Sequence, residues 1–201
     1  YCKFIQYFKK SLYSKYKFLI VYGQKSAQEF KSFRLKNNAI TIANNTIDTV
    51  YIRKNKQEIT HNSKLIKQKY NIKKNEKIYI SIGRFIEEKR QIDILNAWYY
   101  SNLKNSKAKL FFVGNGPTFN FIKKSEKAKI QNVYFVGSVD YKFDYAWLNI
   151  SNVAIFGGAI GLACQQAMAL NTFVIACKEN GTDSEILVHK ENCLLYKNYS
   201  N

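Results

Sequence analysis

From Lys77 onward, four short apolar runs each end directly on a glycine turn. Ile78–Ile82 enters Gly83-Arg84 and Ala108–Val113 enters Gly114-Asn115-Gly116-Pro117. Val133–Val136 enters Gly137-Ser138, and Val153–Phe156 enters Gly157-Gly158. Short continuous apolar runs bounded by turn residues read as strands buried on both faces. The spacing between them predicts helices over Gln91–Ser101, Phe119–Ala128 and Phe143–Asn149. A further strand is expected over Thr172–Ala176, and a last helix from about Asp183 to Val188. Strands alternating with helices imply an α/β chain with a parallel, doubly wound sheet and helices on both faces. Ligands of such sheets lie outside the carboxyl ends of the strands, so the four glycine turns are expected on one rim.

The fourth turn carries the most information. Gly157, Gly158 and Gly161 precede a run of small residues, Leu162 to Ala169, that reads as a tightly packed helix. A glycine turn opening a helix aims free N–H groups and the positive end of the helix dipole at an anion. The same glycines also suit close helix–sheet packing without any ligand. This segment alone leaves both readings open.

The region before Lys77 is less regular. Residues 1–17 place Phe4, Ile5, Phe8, Leu12 and Tyr16 at helical spacing, with lysines elsewhere on the wheel. Such a basic amphipathic helix suits either a core or a membrane surface. Phe18–Tyr22 and Ala39–Ile42 read as strands, and Ser26 is placed to cap a helix from Ala27 to about Phe33. Asn44 to Asp48 is turn chemistry. Residues 49–75, rich in Lys, Asn and Gln, read as an interdomain connection that contains one weak helix, Asn62–Tyr70, and buries little. The organisation expected is therefore the end of one α/β domain over 1–48, a connection over 49–75, and a second domain over 76–201. The chain opens on Tyr1 and its one methionine is Met168, so it is expected to be a fragment.

Composition narrows the partners. The 201 residues carry a formal charge of +18, of which 28 basic residues are lysines spread along the whole chain. A solvated lysine surface accounts for that pattern. A basic face also fits peripheral contact with anionic lipid at the inner face of a cell membrane. No nucleic-acid recognition module is visible, so no specific nucleic acid is expected. Cys2, Cys164, Cys177 and Cys193 show neither metal-ligand nor disulfide spacing, and the last three sit among apolar residues. His61 and His189 stand apart from other ligand types, so neither a metal nor another cofactor is expected. A reducing cytoplasmic compartment fits best.

Arg84 and Lys89 both lie on the loop leaving the strand at Ile78–Ile82. Two fixed cations facing a glycine-rich helix start suit a diphosphate. Asp140 and Asp144 are the nearest thing to a metal-binding acidic pair and are four residues apart; the G-x-G-x-x-G dinucleotide pattern is absent.

Several segments in this order and spacing resemble the donor-binding domain of retaining glycosyltransferases of the GT-B fold, family 4. They are Ser81-Ile82-Gly83-Arg84 with Glu88-Lys89, Leu110 to Pro117, Asn132 to Gly137, Gly161-Leu162 with Gln166 to Ala169, then Gly181, Glu185 and Glu191 to Leu195. Cys193 stands where the family usually has glycine. Phe18–Tyr22 with Asn45-Thr46-Ile47-Asp48 resembles, more weakly, the end of that family's acceptor domain and its hinge.

The resemblance implies a Rossmann-like parallel sheet preceded by a remnant of a second α/β domain. It implies transfer of a sugar from a UDP- or GDP-sugar to a hydroxyl of a saccharide or lipid-linked acceptor, with retention, in cell-envelope polysaccharide or glycolipid synthesis. Arg84, Lys89, Gly161 and Leu162 would then bind the diphosphate, and Val136, Gly158, Ile160 and Gln166 the nucleoside and sugar. The family's two contact glutamates fall on Gly158 and Gln166. A glutamine amide still bonds a ribose hydroxyl, whereas glycine cannot replace a carboxylate. No catalytic nucleophile is assigned. The competing reading is a glycosyltransferase-like binding subunit without catalysis, and a third is a basic nucleic-acid-binding α/β domain.

Overall fold

The computed structural model describes residues 2–31, 39–178 and 185–197. The chain divides into two compact units, Tyr1–Thr46 and Ile47–Asn201.

The first unit contains helix α1 (Cys2–Tyr13), strand β1 (Leu19–Val21), helix α2 (Gln24–Lys31) and strand β2 (Ile40–Ile42). The strands pair in parallel, Leu19 opposite Ile40. Tyr13 meets Phe30 edge to face at 4.7 Å, and Ala27 is buried. Helix α2 starts at Gln24, two residues before the expected cap, so Ser26 sits inside its first turn. Of the expected helix end, Ser32 and Phe33 lie outside the described residues.

The second unit begins with α3 (Thr49–Lys54) and α4 (Lys56–Lys69). Asp48 caps α3 by accepting the N–H of Tyr51 at 2.9 Å, as the Asx chemistry of that turn allows. The expectation of one weak helix and little burial fails here. Ile52, Ile59, Asn62, Ser63 and Ile66 are all buried.

Six parallel strands follow: β3 (Ile78–Ile82), β4 (Lys109–Val113), β5 (Val133–Gly137), β6 (Val153–Phe156), β7 (Phe173–Cys177) and β8 (Leu194–Tyr196). Between them lie α5 (Gln91–Tyr100), α6 (Phe119–Lys124), α7 (Tyr141–Ile150) and α8 (Leu162–Ala169). The expected helix over Phe119–Ala128 is broken, because Ser125 turns extended (ψ 150°) and a 3-10 turn, Glu126–Lys129, completes the segment. The last expected helix starts outside the described residues; of its described part, Glu185-Ile186 form a 3-10 turn and Leu187-Val188 are not helical. Strand β8, on the sheet edge, was not expected.

The strands are ordered β5-β4-β3-β6-β7-β8. Counted within this sheet the order is 3-2-1-4-5-6, that of a Rossmann-type fold, with the switch point between β3 and β6. Alternating side chains divide the core into two layers. Ile78, Ile80, Phe111, Val113 and Ala154 pack against α4, α7 and α8. Leu110, Phe112 and Val133 pack against α5 and α6 with Phe85. The helix packed on α7 is α4: Asn149 donates to Ser63 Oγ at 3.0 Å, and that hydroxyl donates to Ile59 O at 2.7 Å. Ser63 and Asn62 are thus buried by tertiary contact in a stretch whose lysines and glutamines suggest solvent.

Candidate functional site

The rim loops after β3 and β6 flank the switch point and lock into each other. Ala159 N–H donates to Glu88 O at 2.7 Å. A Cβ on Gly158 would overlap that same Glu88 carbonyl, and one on Gly157 would come to 2.6 Å from Arg90 O. The glycines of this turn are therefore required by the approach of the β3 loop. Tyr196, on β8, donates its hydroxyl to Gly157 O at 3.2 Å and holds the turn from the other side. Burial pushes the Tyr196 hydroxyl up to about 12, so it stays a donor at any physiological pH.

The interlock places the cations of the β3 loop beside the start of α8. Arg90 takes a left-handed conformation (φ 54°) as the residue that ends the loop and begins α5. The preceding Lys89 puts its Nζ 3.2 Å from where a Cβ on Gly161 would stand. Gly161 is the N-cap of α8 and gives no side-chain bond, so the first amides of α8 have no intrahelical acceptor. Ammonium and helix start meet at one point, and an anion there gains from both.

Arg84 is exposed and borders an open cleft of about 260 Å³. Its main chain is fixed from behind: Gln91, 3% exposed, donates Nε2 to Arg84 O at 2.9 Å. The next rim loop is held close because a Cβ on Gly114, itself at φ 123°, would overlap Gly83 O. Gly83, Gly114 and Asn115 form one wall of the cleft, and Ser138 and Val139, after β5, form another. The helix side is closed by Asp144 on α7 and by Ala163 and Gln166 on α8. Gln166 donates to Tyr145 Oη at 3.4 Å.

The eight residues singled out in the sequence are distributed as follows. Arg84 and Gln166 share this cleft, and Lys89, Gly161 and Leu162 stand at the start of α8. Gly158 is buried under Glu88, so that position offers main chain only. Ile160 sends its side chain into the core, at 5% exposure. Val136 does not line the Arg84 cleft. It borders an apolar cavity of about 390 Å³ with Tyr70, Phe143 and Trp147.

Sequence reading missed Asp144. Burial first, and then the charge of Asp140, raise its carboxyl from 3.8 to about 6. It was weighed only as half of a metal pair with Asp140; as a polar residue one turn into α7 it carries no local mark. Among the described residues no group of three or more His, Cys, Asp or Glu is placed to hold a metal ion. Nor is any described helix long and apolar enough to cross a membrane.

Residues 62–201 match the model of the family described as glycosyl transferases group 1. The chain is 29% identical over 203 aligned positions to an uncharacterized glycosyltransferase of Methanocaldococcus jannaschii, covering 94% of this chain and 49% of that relative. Among solved structures it resembles HepE of Anabaena in complex with UDP, at a TM-score of 0.70 and 15% identity, over 91% of this chain and 50% of that one. HepE has also been solved with UDP-glucose. It resembles to the same degree (TM-score 0.70, 16% identity, 90% and 49% covered) WaaG, a glycosyltransferase involved in lipopolysaccharide biosynthesis. The chain spans about half the length of these relatives.

Proposed function

The chain belongs to the group 1 glycosyl transferases, and from that premise we propose that it forms the donor-binding part of an enzyme transferring a sugar from a nucleoside diphosphate to an acceptor hydroxyl, with retention. One observation carries the reading: the β3 loop and the turn before α8 interlock at the switch point, bringing Lys89 Nζ beside Gly161, the N-cap of α8. Arg84 stands on the same loop at the adjoining cleft.

In this reading the bond from the anomeric carbon to the phosphate oxygen breaks and its electrons pass to the departing diphosphate. Arg84, Lys89 and the amides of Leu162 and Ala163 face that developing charge without reorganising, which is where preorganised electrostatics lowers a barrier. The protein supplies the charge from these groups, with no metal. Gln166 faces the ribose through its amide, and Val136, on the apolar cavity that shares Val139 with the cleft, offers main chain to the base.

The donor is a UDP- or GDP-sugar; HepE, of the same fold, binds UDP and UDP-glucose. The acceptor is a saccharide or lipid-linked hydroxyl in cell-envelope synthesis, reached from the cytoplasmic side of the membrane, in keeping with the +18 charge and with the lipopolysaccharide role of WaaG. A catalytically degenerate binding subunit is favoured by one feature, the loss of both family acids at Gly158 and Gln166. Titration calorimetry with UDP- and GDP-sugars, followed by a turnover assay, tests the proposal. Binding of one donor with hydrolysis or transfer supports it, binding without turnover favours the degenerate subunit, and binding of neither overturns it.

A further inference from the structure

The cleft beside Arg84 holds one carboxylate, that of Asp144, and among the described residues none donates it a hydrogen bond or pairs with it. A half-buried carboxylate without donors is costly, and it marks a place where a ligand supplies them. Phosphate cannot be that ligand group, because it brings only negative charge to an acid already raised by burial and by Asp140. The charge-bearing end of a nucleotide belongs at Arg84 and Lys89; the part against Asp144 must bring hydrogen-bond donors. A ribose offers a vicinal diol, two donors at the spacing of one carboxylate's two oxygens.

We propose that Asp144 binds the ribose hydroxyls of the donor nucleotide, supplying from α7 the carboxylate that Gly158, in the β6–α8 turn, and Gln166, on α8, do not supply. This assignment rests on the nucleotide-sugar reading above. Gln166 is the neighbour that makes it workable: its amide is turned to Tyr145, the residue after Asp144, so the two polar groups line the same side of the cleft. With its titration near pH 6, Asp144 is ionised and accepting at neutral pH.

The test is a cycle of two proteins and two ligands, read by calorimetry at pH 7.5: wild type and Asp144→Ala with UDP and with 2′,3′-dideoxy-UDP, or the GDP pair if guanine is preferred. Wild type is expected to bind the ribonucleotide about tenfold more tightly than the dideoxy form. D144A is expected to lose about tenfold for the ribonucleotide and nothing for the dideoxy form. Asp144→Asn, which keeps the volume and one acceptor, falls between, and thermal melts of all three establish that each is folded. Equal losses for both ligands, or a wild type indifferent to the hydroxyls, overturn the assignment of Asp144 alone. A wild type that binds neither UDP nor GDP overturns the nucleotide-sugar reading and this inference with it.

Discussion

The main-chain carbonyl of Glu88 stands where a side chain on Gly158 would begin. The oxygen is also the acceptor for Ala159 N–H, so the crossing of the two loops is bonded as well as close. The absence of an acid at Gly158 is therefore a consequence of how this β3 loop packs. Restoring the acid should not restore a contact. Gly158→Ala is expected to cost about 1–3 kcal/mol by overpacking against backbone that cannot rotate away. Gly158→Glu should cost more and lower turnover. Urea denaturation midpoints and a transfer assay measure both; a G158E protein as stable as wild type and more active would refute the packing account.

The Arg84 side chain is exposed, whereas its proposed partner develops charge during transfer. Arg84→Ala should therefore leave the melting temperature nearly unchanged and reduce turnover by ~10²–10³, the usual effect of removing one preorganised charge contact. Lys89→Ala should act in the same direction. Steady-state kinetics of the complete enzyme with either change provides the check, and wild-type rates in R84A would remove Arg84 from the site.

Two acids titrate in opposite senses. Asp144 is raised to about 6 by burial and by Asp140, so it binds its proton more tightly folded than unfolded. Its contribution to stability is complete below about pH 4 and is lost as pH rises through about 6. The side chain borders an open cleft with Arg84 opposite, so after allowance for solvent screening the loss is on the order of 1 kcal/mol. Glu76 behaves conversely. Burial would raise it, but hydrogen bonds from Lys109 and from Lys73 N–H outweigh that and hold it below 4.5. Its contribution is present above that value and disappears in acid. Denaturation from pH 4 to pH 7 should show a decline in wild type that D144N lacks.

Most of the sheet was legible because each strand from β3 to β7 carries its own apolar run, and β3 to β6 also end on glycine. The rim loops were legible for the same reason. Strand β8 was not, since Leu194–Tyr196 is short, half exposed and on the edge, with nothing local to separate it from a loop. Nor was the burial of α4. Its apolar positions Ile59 and Ile66 are diluted by Lys and Gln, and Ser63 is buried where Asn149 of α7, 86 residues on, bonds to it. The candidate site divides along the same line. Arg84, Lys89 and Gly161 announce themselves by type and by place after a strand. Asp144 becomes part of the cleft only through the fold, and Gly158 is explained only by Glu88, a contact between chain segments seventy residues apart.

A partly buried ion pair ties the end of α4 to the sheet. Lys109 Nζ lies 2.8 Å from Glu76 Oε2, with both side chains nearly closed to solvent, and it also donates to Tyr70 O and Asn71 O at 3.3 and 3.1 Å. Removing one partner strands the other charge and two carbonyls. Lys109→Met is expected to cost about 3 kcal/mol, more than the double change Lys109→Met with Glu76→Leu, which removes both charges together. Equal losses in the two proteins would show that the pair is solvated and contributes little.

Behind the rim, Gln91 fixes Arg84 through the main chain: Nε2 donates to Arg84 O at 2.9 Å, while Oε1 is buried with no partner among the described residues. The two halves of one amide thus act against each other. The donor half positions the loop, and the acceptor half carries an unmet desolvation cost of about 1–3 kcal/mol. Gln91→Met, similar in shape and without the orphaned acceptor, should be no less stable than wild type within about 1 kcal/mol. It should nevertheless lower kcat several-fold, because the carbonyl that holds Arg84 in register loses its donor and the loop gains freedom. Glutamate at the same position keeps no donor when ionised and is buried, so Gln91→Glu should lose both stability and rate. Melting curves and kcat for the two variants separate the roles; a Q91M enzyme with unchanged kcat would reduce Gln91 to a packing residue.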